Sequence, residues 1–125
     1  MIRTRYTITP REGVKTELLF TLSLFAIAKR RGVALAVEDF GDTTQRMDFF
    51  IKLIWCAAHN AWEYRRMEDP SLGDLDLSIL DVAEWAGDHP KDFAAIIRGA
   101  SEAISGKELP EGDAAEKALS DEKKK

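Results

Sequence analysis

The first twenty residues alternate between apolar and polar positions with the period of a β-strand. The repeating positions are Ile2, Thr4, Tyr6 and Ile8 in a first run and Val14, Thr16, Leu18 and Phe20 in a second. Pro10 and Gly13 lie between the two runs, as is typical of a hairpin turn. The alternative is a helix that begins at Thr9, with Pro10 in its first turn, but Gly13 and Val14 disfavour a helix there. We therefore predict an N-terminal β-hairpin.

From Thr21 onward, apolar residues recur three or four positions apart, which is the spacing of amphipathic helices. This pattern predicts four helices. They run from an N-cap at Thr21 to Gly32, from Gly41–Thr43 to about Arg66, from Ser78 or Asp76 to Gly87, and from His89–Pro90 to about Ile104. The longest helix has a polar side that includes Cys56 and His59, so we expect a thiol at the helix edge and a solvated histidine.

The order of these elements predicts a mainly α fold, a small bundle of about four helices with a short N-terminal β-hairpin. We expect residues 1–105 to form a single α-rich domain. The apolar repeat ends after Gly106, and residues 106–125 are rich in charge. Such a segment buries too little apolar surface to offset its conformational entropy, so we predict a flexible, disordered tail.

Composition narrows the classes of function. The chain has 18 Lys and Arg residues against 22 Asp and Glu residues, so its net charge is -4 and it exerts no long-range attraction on nucleic-acid phosphates. Its single cysteine excludes an internal disulfide and a Cys-rich zinc module. The sequence shows neither a signal peptide nor an apolar stretch long enough to span a bilayer. We therefore expect a cytoplasmic protein without a membrane partner.

Candidate catalytic and metal-binding residues are few. Cys56 and His59 lie one helical turn apart, but nothing in the sequence orients the imidazole. His59 and Glu63, with His89 as a distant third ligand, fall short of the convergent set that a metal site needs. The remaining acidic candidates are interpreted as helix caps and solvated charges: Asp74, Asp76, Asp81 and Glu84. We expect no enzymatic activity, no metal and no cofactor.

Basic residues cluster in two places near the N-terminus. They are Arg3, Arg5 and Arg11 in the predicted hairpin and Lys29, Arg30 and Arg31 at the end of the first helix. If the hairpin packs beside that helix, they form a local basic patch. The alternative function is therefore a small adaptor or nucleic-acid-associated regulatory protein of a mobile element. Because positive charge also suits the C-terminal end of a helix, we favour a structural interpretation of these residues.

Aromatic residues point to protein binding. Trp55 and Trp62 lie seven residues apart and so share one side of the longest helix, with Tyr64 and Trp85 as flanking candidates. Core packing is the usual role of such a stripe, but a domain of this size rarely encloses three tryptophans completely. We therefore predict that Trp55, Trp62 and Tyr64 contribute to a protein-interaction surface.

Three stretches together resemble the family of phage tail assembly chaperones. Val14–Phe25 followed by Lys29–Gly32 resembles their opening, a Phe-Ser/Thr-Leu stretch, a helix and a Lys-x-x-Gly end. Phe50–Ala61 looks like their central helix, and Leu77–Trp85 is similar to the helix that follows it. The resemblance covers residues 14 to about 104 and depends on the combination, since each piece alone is a common capping or core pattern.

The resemblance implies a non-enzymatic, mostly helical protein that forms a homo-oligomer. Such proteins bind the tape-measure protein and tail-tube subunits during tail assembly in the cytoplasm of the bacterial host. The implied task is to shield amphipathic helices from aggregation, which apolar grooves between helices can do. No partner-binding residue can be aligned with the family, so Trp55, Trp62 and Tyr64 rest on the surface argument alone.

Overall fold

The structure, a computed structural model, describes residues 2–36, 38–39 and 41–105. The predicted tail at 106–125 lies outside the described residues. The strands are β1 (Arg5–Arg11) and β2 (Val14–Leu19), and the helices are α1 (Ser23–Arg30), α2 (Thr43–Glu68), α3 (Ile79–Asp88) and α4 (Pro90–Ser105). Within this part of the chain, the predicted mainly α fold with an N-terminal hairpin and four helices is confirmed.

The two strands form the predicted antiparallel hairpin, in which Ile8 lies opposite Thr16. The turn contains Gly13 at φ 77°, a left-handed conformation that costs a glycine little because it has no Cβ. Ile8, Thr16 and Leu18 are buried on the face that meets the helices. Because a shift of one residue would turn these side chains to solvent, their burial fixes the register. The alternative helix start at Thr9 is wrong, since Thr9 belongs to β1.

Helix α2 is the centre of the core. It begins after Asp42, whose side chain accepts a hydrogen bond from the backbone N–H of Gln45 at 3.1 Å. This start agrees with the predicted one. Helix α1, strand β2 and helix α3 all pack against α2, so its middle is buried on every side rather than along one stripe. The buried residues of α2 are Leu53, Ile54, Cys56, Ala57, Ala58, His59, Asn60 and Ala61.

The junction between β2 and α1 is organised by buried Asn60. Its Nδ2 donates hydrogen bonds to the Leu19 carbonyl at 3.0 Å and to the Thr21 hydroxyl at 3.1 Å, while Ser23 donates to its Oδ1 at 2.9 Å. The predicted N-cap at Thr21 is wrong by one residue, since Leu22 holds that position without a side-chain cap. The physical reason is that the Thr21 hydroxyl bonds to Asn60 and Ser23 instead of an α1 amide.

The start of α3 is tied to the tip of the hairpin. Ser78 and Asp81 form a reciprocal capping box, which confirms Ser78 rather than Asp76 as the cap. Arg11 at the end of β1 donates to the Asp81 carboxylate at 2.7 Å. The Ser78 amide and Arg11 both lower the pKa of that carboxyl. Helix α3 continues to Asp88, one residue beyond the predicted end.

Helix α4 approaches β1 at Gly99, a residue without a side chain. Phe93 and Ile96 are buried on the inner side of α4. Gly99 lies on the same helix, and a Cβ there would overlap the phenol oxygen of Tyr6 and lie 2.6 Å from its Cζ. The Tyr6 ring in turn packs edge-on against Phe20 at a centroid distance of 5.8 Å. Glycine at position 99 therefore allows the close approach of β1 and α4.

Candidate interaction surface

Trp55 and Trp62 form hydrogen bonds to the segment between α2 and α3, residues 69–78, which we call the return segment. The Trp55 indole Nε1 donates to the Leu77 carbonyl at 2.7 Å, and the Trp62 indole Nε1 donates to the Gly73 carbonyl at the same distance. The two tryptophans lie seven residues apart, so both indoles point to one side of α2. Both side chains are partly buried. Each therefore has a structural role as a hydrogen-bond donor to a distant carbonyl, together with a partly accessible surface.

Tyr64 does not share the side of the helix that carries the tryptophans. At about 100° per residue, Tyr64 is about 200° from Trp62 around the axis of α2. It lies one turn beyond Asn60, on the side that meets α1, and is 45% exposed. Met67 continues this side and is 77% exposed. The structure thus brings Trp55 and Trp62 together and places Tyr64 on a separate surface.

An open cleft with an apolar lining lies beside Trp62 and can accept side chains of another protein. Its volume is about 360 Å³, and it lies between β2, the second half of α2 and residues 74–76. Its apolar lining consists of Val14, Ala58, Ala61, Trp62 and Leu75. We call it the Trp62 cleft. Val14 at the cleft is 50% exposed, so apolar surface remains available to a partner.

The cleft also contains two basic residues that were not candidates in the sequence, Lys15 on β2 and Arg65 on α2. The guanidinium of Arg65 lies over the Trp62 ring, 5.3 Å from its centroid. The alternation along β2 places Lys15 on the polar side of the strand, but no local pattern indicates that this strand runs beside the end of α2. Their shared location arises from the packing of distant segments.

The expectation for Cys56 and His59 is wrong, because both side chains are buried and not at a solvated edge. Helix α2 has neighbours on its nominally polar side, where the His59 ring lies 4.2 Å from that of Trp55. Burial raises the pKa of the Cys56 thiol to about 11. Burial, assisted by Arg31, lowers the pKa of His59 to about 4. Near neutral pH the pair is therefore a protonated thiol and a neutral imidazole, a poor nucleophile and base.

The candidate metal ligands His59, Glu63 and His89 are not arranged around one metal position. Glu63 forms ion pairs with Arg30 at 3.4 Å and Arg31 at 3.7 Å. His89 stacks on Trp85 at a centroid distance of 5.9 Å, at the junction of α3 and α4. Among the described residues, no group of three or more histidine, cysteine or acidic side chains is arranged to hold a metal ion.

The basic residues of the alternative hypothesis are largely ion-paired. Arg5 bonds Glu17 at 2.7 Å, Arg11 bonds Asp76 and Asp81, and Arg30 and Arg31 both meet Glu63. The hairpin packs against α2 and α3, whereas α1 packs against α2. These pairs reduce the positive charge that would remain for phosphate groups, and they agree with the structural interpretation of the arginines.

The chain was also compared with known proteins. No protein-family model matches it, and neither a curated protein sequence nor a solved structure matches it. Within the described residues, no helix combines the length and apolar character that a membrane crossing requires. The resemblance to phage tail assembly chaperones therefore stays a prediction.

Proposed function

We propose that this protein is a non-enzymatic phage tail assembly chaperone, which binds the tape-measure protein and tail-tube subunits during tail assembly. The observation that carries the proposal is the Trp62 cleft, an open cleft with apolar side chains on several walls. Exposed apolar surface beside a folded core is typical of sites that bind other proteins. Together with the resemblance over residues 14 to about 104, the cleft favours a binding protein.

The size of the cleft defines what a partner would insert. About 360 Å³ is at the small end of the range of about 300–1,000 Å³ for ligand pockets. The cleft therefore accepts one or a few side chains of a partner, while the remainder of that partner lies on the surrounding surface. This mode suits amphipathic helices, whose apolar residues recur on one side and insert into a groove at intervals.

The proposal is tested by solubility and co-purification with the proteins encoded beside its gene. We expect a long helical neighbour to aggregate when expressed alone and to stay soluble and co-purify when expressed with this chain. Light scattering on the purified protein should show a homo-oligomer. If every neighbour fails to associate and the protein is a monomer, the proposal is wrong. A salt-dependent affinity for DNA or RNA would instead favour the nucleic-acid-associated alternative.

A pair of variants assigns the binding to the cleft. Val14→Asp places a charge in the Trp62 cleft, where the native side chain is 50% exposed. Leu80→Asp is the matched control, because Leu80 is 74% exposed on α3 and lies outside the cleft lining. We expect only Val14→Asp to abolish co-purification, with both variants folded by circular dichroism. Equal effects of the two variants would contradict the assignment.

A further inference from the structure

The acidic side chains around the Trp62 cleft all form ion pairs within the protein, whereas two of the basic side chains do not. Three acidic side chains line the cleft, and each is already paired with an arginine of this chain. The pairs are Arg5–Glu17 at 2.7 Å, Arg66–Asp74 at 3.2 Å and Arg11–Asp76 at 3.2 Å. Each acidic side chain at the cleft therefore has a cationic partner within the protein, and two of these arginines are shared, Arg11 with Asp81 and Arg66 with Glu63.

Two of the basic side chains in the cleft have no such partner. Within the described residues, neither Lys15 nor Arg65 forms an ion pair, and both are exposed. Arg65 lies over the Trp62 ring, so its charge is directed along the wall of the cleft. Lys15 is on β2, the strand that borders the cleft. Positive charge thus flanks an apolar depression and remains available to a bound molecule.

We propose that the occupant of the Trp62 cleft is an acidic amphipathic helix of a second protein. Its apolar side chains would insert beside Trp62, and its carboxylates would pair with Lys15 and Arg65. This inference rests on the proposed function and adds the chemistry of the partner at the same site. Charge complementarity decides between helices of equal apolar character, because a basic helix would meet two cations without an ion-pair partner, whereas the carboxylates at the cleft already pair with arginines.

The expected effect is modest, because both charges are exposed to solvent. Exposed ion pairs each contribute about 0.2–1 kcal/mol, so loss of both weakens binding by about 2- to 30-fold. The same pairs should be screened by salt, whereas the apolar contact should persist. A preference for acidic helices that disappears at high salt is therefore the signature of the proposal.

The test uses two synthetic helical peptides that share one apolar side and differ only in flanking residues, glutamate in one and lysine in the other. Fluorescence anisotropy of labelled peptides measures binding to the full chain at low and high salt. We expect the glutamate peptide to bind more tightly at low salt. The double variant Lys15→Glu/Arg65→Glu should reverse this preference. The control Lys29→Glu/Lys91→Glu, which makes the same change in net charge on α1 and α4, should keep it.

Equal binding of the two peptides, binding of neither, or equal effects of the two double variants would overturn the inference. These outcomes are distinct from failure of the proposed function. If the helical neighbour co-purifies with the unaltered chain but the two peptides bind equally, the protein binds that neighbour without a preference for acidic helices and only the inference about the cleft fails. If no neighbour co-purifies with the unaltered chain, the proposed function fails whatever the peptides do.

Discussion

The free energy of unfolding of this protein should depend on pH because His59 is buried, with only 2% of its surface exposed. Burial lowers the pKa of its imidazole from 6.5 to about 4, and the nearby positive charge of Arg31 acts in the same direction. The Leu77 carbonyl and the carboxylates of Glu63 and Asp74 favour the protonated ring, but they do not outweigh burial. Among the described residues, no protein group forms a hydrogen bond of acceptable geometry with either ring nitrogen. Protonation therefore places a poorly solvated charge in the core.

The sign of the effect follows from the two pKa values. The unfolded chain binds the proton more tightly than the folded one, so the stabilising contribution is complete above about pH 6.5 and is lost as the pH falls toward 4. One pKa unit corresponds to about 1.36 kcal/mol, so the difference between 6.5 and about 4 amounts to about 3 kcal/mol in total. Of this, about 2 kcal/mol is lost between about pH 7 and about pH 5.

Urea unfolding at about pH 7 and about pH 5 measures this loss. Most carboxylates remain ionised at the lower pH, because their ordinary pKa values are near 4. We expect the free energy of unfolding to fall by about 2 kcal/mol in the native chain and by much less in His59→Gln and His59→Leu. The control His89→Gln alters an exposed histidine and should retain the native dependence. Parallel behaviour of the native chain and His59→Gln would refute the reasoning.

Three further predictions concern stability, each measured by urea or thermal unfolding. Gly99→Ala should destabilise the protein by about 1–3 kcal/mol despite the higher helix propensity of alanine, since the new Cβ overlaps Tyr6, and Tyr6→Leu should relieve much of that loss. Trp55→Phe should cost about 1–2 kcal/mol through the unsatisfied Leu77 carbonyl, and Trp62→Phe should cost less because its bond to Gly73 is solvent-exposed. Asn60→Leu should cost about 2–4 kcal/mol, because three hydrogen bonds are lost and the Leu19 carbonyl is left unpaired. Native-like stability of any of the destabilised variants would contradict the contact or overlap from which its cost is derived.

The elements of the fold were predictable because their signals are local. Apolar residues alternate with polar ones on either side of Pro10 and Gly13, which indicates a hairpin. The buried face of that hairpin determines its register. The capping sequence of Ser78 and Asp81 marks the start of α3 within four residues. Such features require only neighbouring residues, so a single sequence is enough to indicate them.

The burial of Cys56 and His59 was not predictable in the same way. A helical projection of α2 assigns them to the polar side, and this holds only if solvent covers that side. In the folded chain, Trp55 holds the return segment by its bond to Leu77, so a non-helical stretch contributes to burial near His59. The information lies in a contact between residues 22 positions apart, and no helical periodicity encodes it.

The candidate site was only partly predictable for a related reason. Tryptophan is enriched in protein interfaces, and this preference directed attention to Trp62. Its neighbours in the cleft, Lys15 on a strand and Arg65 on a helix, are 50 positions apart in the sequence. Their significance depends on which acidic residues are paired, and only the folded chain specifies that pairing.

Trp62 combines a structural role with the binding role proposed for the cleft. Its indole holds the carbonyl of Gly73, while its ring forms a wall of the cleft and carries Arg65. Truncation of Trp62 to alanine would release the return segment and remove the cleft wall at once, so loss of binding in that variant could not distinguish the two roles. The exposed charges of Lys15 and Arg65 take part in no ion pair of the described structure, so their reversal should have little effect on folding and should change only the proposed recognition. The charge of the cleft, rather than its aromatic ring, therefore provides the decisive test of what it binds.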